Sequence, residues 1–236
     1  MLNIAHRGFR SRYPENTMIA FRKAVEEGAD GIEFDVHLSK DRKIVIIHDE
    51  RLDRTTDLIG RVKDYTLEEM KKANAAKLFP ELESERIPTL TEYLDYIKDK
   101  DIITNIELKT GIYAYPGIEE MVYELLKEYD IIDKIIISSF NYKSILKMKK
   151  LDENIKCGLL IDSWLEKPWD YIKSVGAEYY HPSAYSVDKE LVDRLHENGI
   201  GINVWYGEDP YDFRKTFDLG VDGMITDYPD IIKTFK

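Results

Sequence analysis

The 236-residue sequence predicts a (β/α)8 barrel, a TIM barrel of one domain over residues 1–236 with a small insertion after the second strand. Short β-branched runs alternate with amphipathic stretches about eight times along the chain, the pattern of parallel strands crossed over by helices. The turn after the first run, "HRGFRSRYPEN", lacks the GxGxxG loop that an open doubly wound sheet usually carries there.

In chain order, a strand over Leu2–His6 leads into the helical pattern "TMIAFRKAVEEG", which Gly28 closes. The next strand, Gly31–His37, is followed by "SKDRK" and a second strand-like run, "IVIIH"; with Asp41 and Arg42 at the tip the two runs form an antiparallel hairpin. That hairpin sets His48 roughly opposite Phe34, within a residue of Glu33 and Asp35. The polar segment 49–88 then interrupts the rhythm and is expected as a cap-like insertion at the barrel mouth, too small and too polar for a core of its own. Alternation resumes with "TLTEYLDYIKD" and strand Ile102–Lys109, then "GIEEMVYELLKEY" and Lys134–Ser139, then "YKSILKMKKL" and Lys156–Ile161. "PWDYIKSVG" precedes Glu178–His181, "DKELVDRLHENG" precedes Gly201–Tyr206, and "DPYDFRKTFDLG" precedes Asp222–Thr226, with "PDIIKTFK" closing the chain. Gly176, Gly199 and Gly220 stand where helix C-caps are expected, and Pro168 and Pro210 suit first turns.

Charge and composition narrow the function. With 34 basic against 45 acidic residues and a net charge of -11, the chain repels phosphate backbones and anionic lipid, which argues against a nucleic-acid partner. No apolar run approaches the ~20 residues that span a bilayer, and "MLNIAHRG" lacks the features of a secretory signal, so a soluble, cytoplasmic protein without stable membrane insertion is expected. Cys157, the only cysteine, excludes an intrachain disulfide and reads as a core residue.

The chemistry gathers at strand ends. Glu33 and Asp35 are two apart on one strand and share a face; Glu107 and Lys109 repeat that geometry on the next barrel strand. Three converging carboxylates repel one another unless a positive charge sits between them, and an all-oxygen set suits a divalent cation such as Mg²⁺ or Ca²⁺. His6 and Arg7 end the first strand, so His6 and His48 flank that site as base and acid while Arg7 and Lys109 hold phosphate oxygens. Metal-assisted phosphodiester cleavage is the chemistry these residues support. Trp205 is expected at the rim, packing or offering a face to a polyol. Structural ion pairs, Glu33 with Arg7 or Glu107 with Lys109, are the simpler account of any one of these charges, but not of seven polar groups at adjacent strand ends. His37 and His196 are expected on the surface and His181 at the mouth; Glu15 and Asn16 carry no assignable chemical role, a helix cap being the simple reading of Asn16.

"AHRG" followed by "PENT", then "EFDVHLSKD", "IIHD", "IELK", "NVW" and "ITDYP" resemble the glycerophosphodiester phosphodiesterase family from Ile4 to Pro229. The resemblance implies a (β/α)8 fold with an insertion after the second strand. It also implies hydrolysis of small diesters such as glycerophosphocholine or glycerophosphoethanolamine to glycerol 3-phosphate and an alcohol. By the same resemblance His6 and His48 are catalytic, Glu33, Asp35 and Glu107 hold the metal, and Arg7 and Lys109 contact phosphate; Tyr206 stands where many members have threonine. Attack by the glycerol 2-hydroxyl through a cyclic phosphate and direct attack by water both remain open. The rivals are a phospholipase-like or lyase-like relative that stops at the cyclic phosphate, which calls for an apolar lip that the insertion scarcely offers, and a non-catalytic barrel that binds phosphorylated polyols.

Overall fold

The computed structural model describes residues 1–207 and 212–235. Eight parallel strands close on themselves: β1 (Leu2–His6), β2 (Gly31–Leu38), β4 (Ile103–Leu108), β5 (Ile135–Ser139), β6 (Lys156–Ile161), β7 (Tyr179–Pro182), β8 (Gly201–Trp205) and β9 (Gly223–Thr226), with β1 paired to both β2 and β9. The short strand β3 (Ile44–Ile46) adds antiparallel to β2. Crossovers are made by α1 (Met18–Glu27), α3 (Leu90–Ile97), α4 (Ile118–Glu128), α5 (Tyr142–Leu151), α6 (Pro168–Val175), α7 (Lys189–Glu197) and α8 (Phe213–Asp218); α2 (Leu67–Met70) lies in the insertion and α9 (Pro229–Ile232) follows the last strand. This is the TIM barrel predicted from the alternation.

Local signals set the boundaries. Thr17, not Asn16, caps α1, its side chain accepting from the Ala20 amide, and Gly28 ends the helix at φ 88, a left-handed value that favours glycine. Thr89 opens α3 with a reciprocal capping box to Glu92. Pro168 occupies the first turn of α6 as expected, whereas Pro210 lies outside the described residues.

Alternate strand residues face opposite ways. Ile32, Phe34, Val36, Ile106, Leu108 and Cys157 face the helices in one large apolar cluster. Inside the barrel, Gly158 makes room for His181: a Cβ there would stand 2.5 Å from the imidazole Nε2. His181 is fully buried, with Nε2 3.0 Å from Asn203 Nδ2, so it fills the interior instead of lining the mouth; the volume spared by Gly158 draws the ring inward.

The hairpin register, Val36 opposite Ile46 and His37 opposite Val45, sets His48 across from Phe34 when continued two residues, and the Ile47 amide still donates to the Asp35 carbonyl at 3.1 Å. His37 departs from the surface position expected of it: it is fully buried, Nδ1 3.1 Å from the Tyr115 hydroxyl and Nε2 3.1 Å from the His48 carbonyl, because the insertion and the β4–α4 loop cover the hairpin. His196 remains partly exposed beside Asp222. The insertion also packs more than its polarity suggests. Val45, Ile47, Leu52, Val62, Met70, Ala73, Ala75 and Ile87 form a second apolar cluster, while Ile44 and Ile46 of the same strand join the barrel core.

Candidate active site

Register builds the site. His6 pairs with Glu33 across β1 and β2, and Asp35 with Glu107 across β2 and β4, so four functional side chains occupy adjacent positions near the C-terminal ends of three neighbouring strands. Among the described residues, Glu33, Asp35 and Glu107 bring carboxylate oxygens within 4.8 Å of one another, and all three are buried. Burial, then the charges of Asp35 and Glu107, push Glu33 well above the usual carboxylate range. Burial also raises Glu107, against the pull of Lys109. Burial would raise Asp35 as well, but His48, Lys109, Arg7 and a hydrogen bond from Asn16 together bring it down. Asp35 Oδ1 is buried with no hydrogen-bond partner. A hard divalent cation fits such a set: oxygen donors only, mutual repulsion, and one oxygen without a donor.

The cations stand around this trio. Lys109 Nζ lies 3.0 Å from Glu107 Oε1, 3.7 Å from Asp35 Oδ1 and 3.4 Å from His48 Nε2. Arg7 donates its backbone amide to Glu33 Oε2 at 3.1 Å and a guanidinium nitrogen to Glu15 Oε1 at 2.9 Å, with Nε 3.6 Å from Asp35. Both Arg7 (φ 53) and Asn16 (φ 55) hold left-handed backbone conformations, and both touch the site; strain of this kind persists where surrounding contacts over-determine it. Asn16 donates from Nδ2 to Asp35 Oδ2 at 3.0 Å, so it belongs to the site and not to a helix cap.

Each histidine has a carboxylate behind it. His6 Nδ1 lies 2.7 Å from Asp227 Oδ1, which turns Nε2 toward the trio, 4.0 Å from Glu33. Burial and the neighbouring Arg7 charge lower the His6 pKa, with Asp227 opposing. His48 Nδ1 lies 2.6 Å from Asp49 Oδ1, and its ring is 30% exposed against 13% for His6. Glu15 sits 7% exposed between three arginines, accepting from Arg7, Arg10 and Arg54. Burial would raise it, but the Arg54 hydrogen bonds and the Arg7, Arg54 and Arg10 charges hold it at about 2.

These groups open into a cavity of about 380 Å³. His6, Arg7, Arg10, Glu33, His48, Arg54 and Glu107 line one side; Phe140, Leu160, Trp205, Tyr206 and Ile225 line the other. Trp205 is partly buried, donating from Nε1 to the His181 carbonyl at 3.1 Å and meeting Phe140 edge to face at 6.1 Å. One charged and one apolar wall suit a small molecule that joins a phosphodiester to a carbon skeleton.

The eight residues singled out from sequence thus meet at one end of the barrel. Six others were missed in role: Arg10, Glu15, Asn16, Asp49, Arg54 and Asp227. Two carried a readable signal. Asp49 directly follows His48, and Asp227 directly follows β9, the strand-end position where barrel chemistry resides.

Residues 6–231 match the model of the "Glycerophosphoryl diester phosphodiesterase family". A glycerophosphodiester phosphodiesterase of Caldanaerobacter subterraneus subsp. tengcongensis is 46% identical over 232 residues, covering 98% of this chain and 96% of the relative. One from Bacillus altitudinis is 43% identical over 96% of this chain and 94% of its own. Among solved structures, an Oleispira antarctica phosphodiesterase in complex with the product sn-glycerol-3-phosphate superposes with a TM-score of 0.86 at 28% identity, covering 98% of this chain and 94% of that one. A Thermotoga maritima glycerophosphodiester phosphodiesterase gives 0.79 at 31% identity, over 100% and 99%.

Proposed function

The chain belongs to the glycerophosphoryl diester phosphodiesterase family, and from that premise we propose that it hydrolyses diesters such as glycerophosphocholine and glycerophosphoethanolamine to glycerol 3-phosphate and an alcohol, with His6 and His48 as its acid–base pair. The observation that carries this reading is the pair of imidazoles on either side of three buried carboxylates, each backed by its own carboxylate. The product named for the Oleispira protein is the one this reaction releases.

The residues divide the work. Arg7, at the polar wall, and Lys109, beside Glu107 and His48, hold the non-bridging phosphate oxygens, and Trp205 lays its face along the glycerol carbons. His6 stands beside the carboxylates and takes the proton from the attacking hydroxyl, whether that of glycerol C2 or of water. His48 is the more exposed of the two, on the side where an alcohol leaves to solvent; it protonates the departing oxygen as the phosphorus–oxygen bond breaks. On the cyclic route the roles then reverse: His48 takes a proton from water as its oxygen bonds to phosphorus, the bond from phosphorus to the C2 oxygen breaks, and His6 returns a proton to that oxygen. Glu33, Asp35 and Glu107 are the residues that would hold Mg²⁺ or Ca²⁺, which when bound supplies positive charge for the phosphoryl oxygens.

Release of glycerol 3-phosphate from glycerophosphocholine, assayed with and without chelator, tests the reaction and its metal dependence. His6→Ala and His48→Ala should each lower kcat/KM on that diester by on the order of 10² to 10⁴. A p-nitrophenyl ester, whose leaving group needs little protonation, should largely rescue His48→Ala and not His6→Ala. Near wild-type rates in both variants on glycerophosphocholine would defeat the mechanism.

A second reading gains from one observation. Phe140 after β5 and Trp164 and Leu165 after β6 are exposed on loops at the mouth end, an apolar edge contributed by the barrel and not by the insertion. Acylated glycerophosphodiesters are the matching substrates, so turnover of lysophosphatidylcholine against glycerophosphocholine separates the two.

A further inference from the structure

Glu15 was left without a role by the sequence, and the reaction as described does not use it, yet it is buried against three guanidinium groups. From it two chains of hydrogen bonds run to the two histidines. In one, Arg10 Nε donates to Glu15 Oε2 at 3.0 Å and Arg10 Nη1 to Asp227 Oδ2 at 2.9 Å, and the other oxygen of Asp227 meets His6 Nδ1 at 2.7 Å. In the other, Arg54 reaches both Glu15 oxygens at 2.7 and 2.8 Å and both Asp49 oxygens at 2.7 and 2.9 Å, and Asp49 meets His48 Nδ1 at 2.6 Å.

We propose that Glu15 is a positioning residue for both histidines, fixing through Arg10 and Arg54 the two carboxylates that orient the rings. This rests on the acid–base reading of His6 and His48 given above.

The geometry points to positioning and not to a simple clamp. The three tied segments are separate in sequence: Glu15 lies between β1 and α1, Asp49 at the start of the insertion, Asp227 after β9. Three carboxylates and three arginines balance in charge, so the set is held without a substrate to complete it. Each terminal carboxylate takes a histidine Nδ1, leaving Nε2 toward the polar wall of the cavity; the hydrogen bond on one ring nitrogen sets what the other can do. Moving either aspartate displaces a proton-transferring nitrogen, and a misplacement of about 1 Å costs on the order of 10²-fold in rate.

Arg10 and Arg54 also line the cavity, so direct contact with substrate is the rival, and a double-mutant cycle separates the two. Glu15→Gln keeps the shape and removes the charge; it should lower kcat on glycerophosphocholine by on the order of 10- to 100-fold. Arg54→Met and Arg10→Met should each lower kcat with KM moved less than about 3-fold, the mark of a lost transition-state interaction. Each arginine effect should shrink below about 2-fold when its own histidine is already alanine: Arg54→Met in His48→Ala, Arg10→Met in His6→Ala. Arginine losses that persist undiminished in those backgrounds would overturn the proposal, as would a folded Glu15→Gln with unchanged kcat. Where Glu15→Gln does not fold, the two arginine cycles decide alone. Failure of the acid–base reading itself shows separately, as near wild-type activity in the single histidine variants.

Discussion

Replacing Glu33 by Gln should make the cation-free protein more stable while abolishing its activity. The oxygens of Glu33, Asp35 and Glu107 lie within 4.8 Å of one another, and at an effective dielectric of about 20 two unit charges at that distance repel by about 3.5 kcal/mol. Arg7, which gives Glu33 its amide at 3.1 Å, and Lys109, at 3.0 Å from Glu107, offset part of this, and the upward shift of Glu33 lets a proton relieve more. Roughly 1–3 kcal/mol is left as the net cost of the third carboxylate. The amide oxygen of Gln can still accept from Arg7, so little else is lost. For a domain of this size each kcal/mol moves Tm by about 2–4 °C, so Glu33→Gln should melt about 2–12 °C above the parent in EDTA. Saturating Mg²⁺ or Ca²⁺ should narrow that gap. At 100 times Kd a cation adds about 2.7 kcal/mol to the parent, and it adds less to the variant, which has lost a ligand. Calorimetry of both proteins in EDTA and in each cation is the assay. A variant that melts lower than the parent in EDTA, or a cation that shifts both proteins equally, would refute the reasoning.

Trp205→Ala should raise KM for glycerophosphocholine about 10-fold, equivalent to about 1.4 kcal/mol of binding, with kcat changed less; steady-state kinetics reads it, and lost folding with unaltered KM would make the ring a packing residue against Phe140. His181, buried and lowered from 6.5 to about 3 by burial, takes up its proton more readily in the unfolded chain. Its contribution to stability is therefore present above pH 6.5 and is lost as pH falls toward 3, at up to about 1.4 kcal/mol per pH unit. Urea titrations between pH 7 and 4 should show a shallower loss for His181→Gln than for the parent; equal slopes would place the titration elsewhere.

The barrel was legible because its signal is local and repeated: β-branched runs, capping glycines, and pairs of polar residues two apart at strand ends. The hairpin was nearly as readable: its register centres on Asp41, so the loop takes in Lys40 as well as the expected Asp41 and Arg42, and His48 still falls opposite Phe34. What stayed hidden depends on contacts across the fold. His37 looks like a surface residue until Tyr115, 78 positions away, covers it. Glu15 and Asp227 are 212 positions apart, joined through Arg10, and no spacing rule announces such a bridge. The second apolar cluster gathers Leu52, Val62 and Met70 from turns and single-turn helices, where no period marks the buried side.

The run 44–47, strand β3 and the residue after it, is a wall common to two cores, giving Ile44 and Ile46 to the barrel and Val45 and Ile47 to the insertion. His48 hangs from its end. A lineage can therefore retune the rim beside His48 by repacking the six apolar residues that the insertion gives to this cluster, Leu52, Val62, Met70, Ala73, Ala75 and Ile87, without disturbing the barrel that keeps the carboxylates in register. The rim is thereby free to drift apart from the carboxylate site, provided that Asp49 and Arg54, which hold His48, are kept when the insertion is exchanged or randomised.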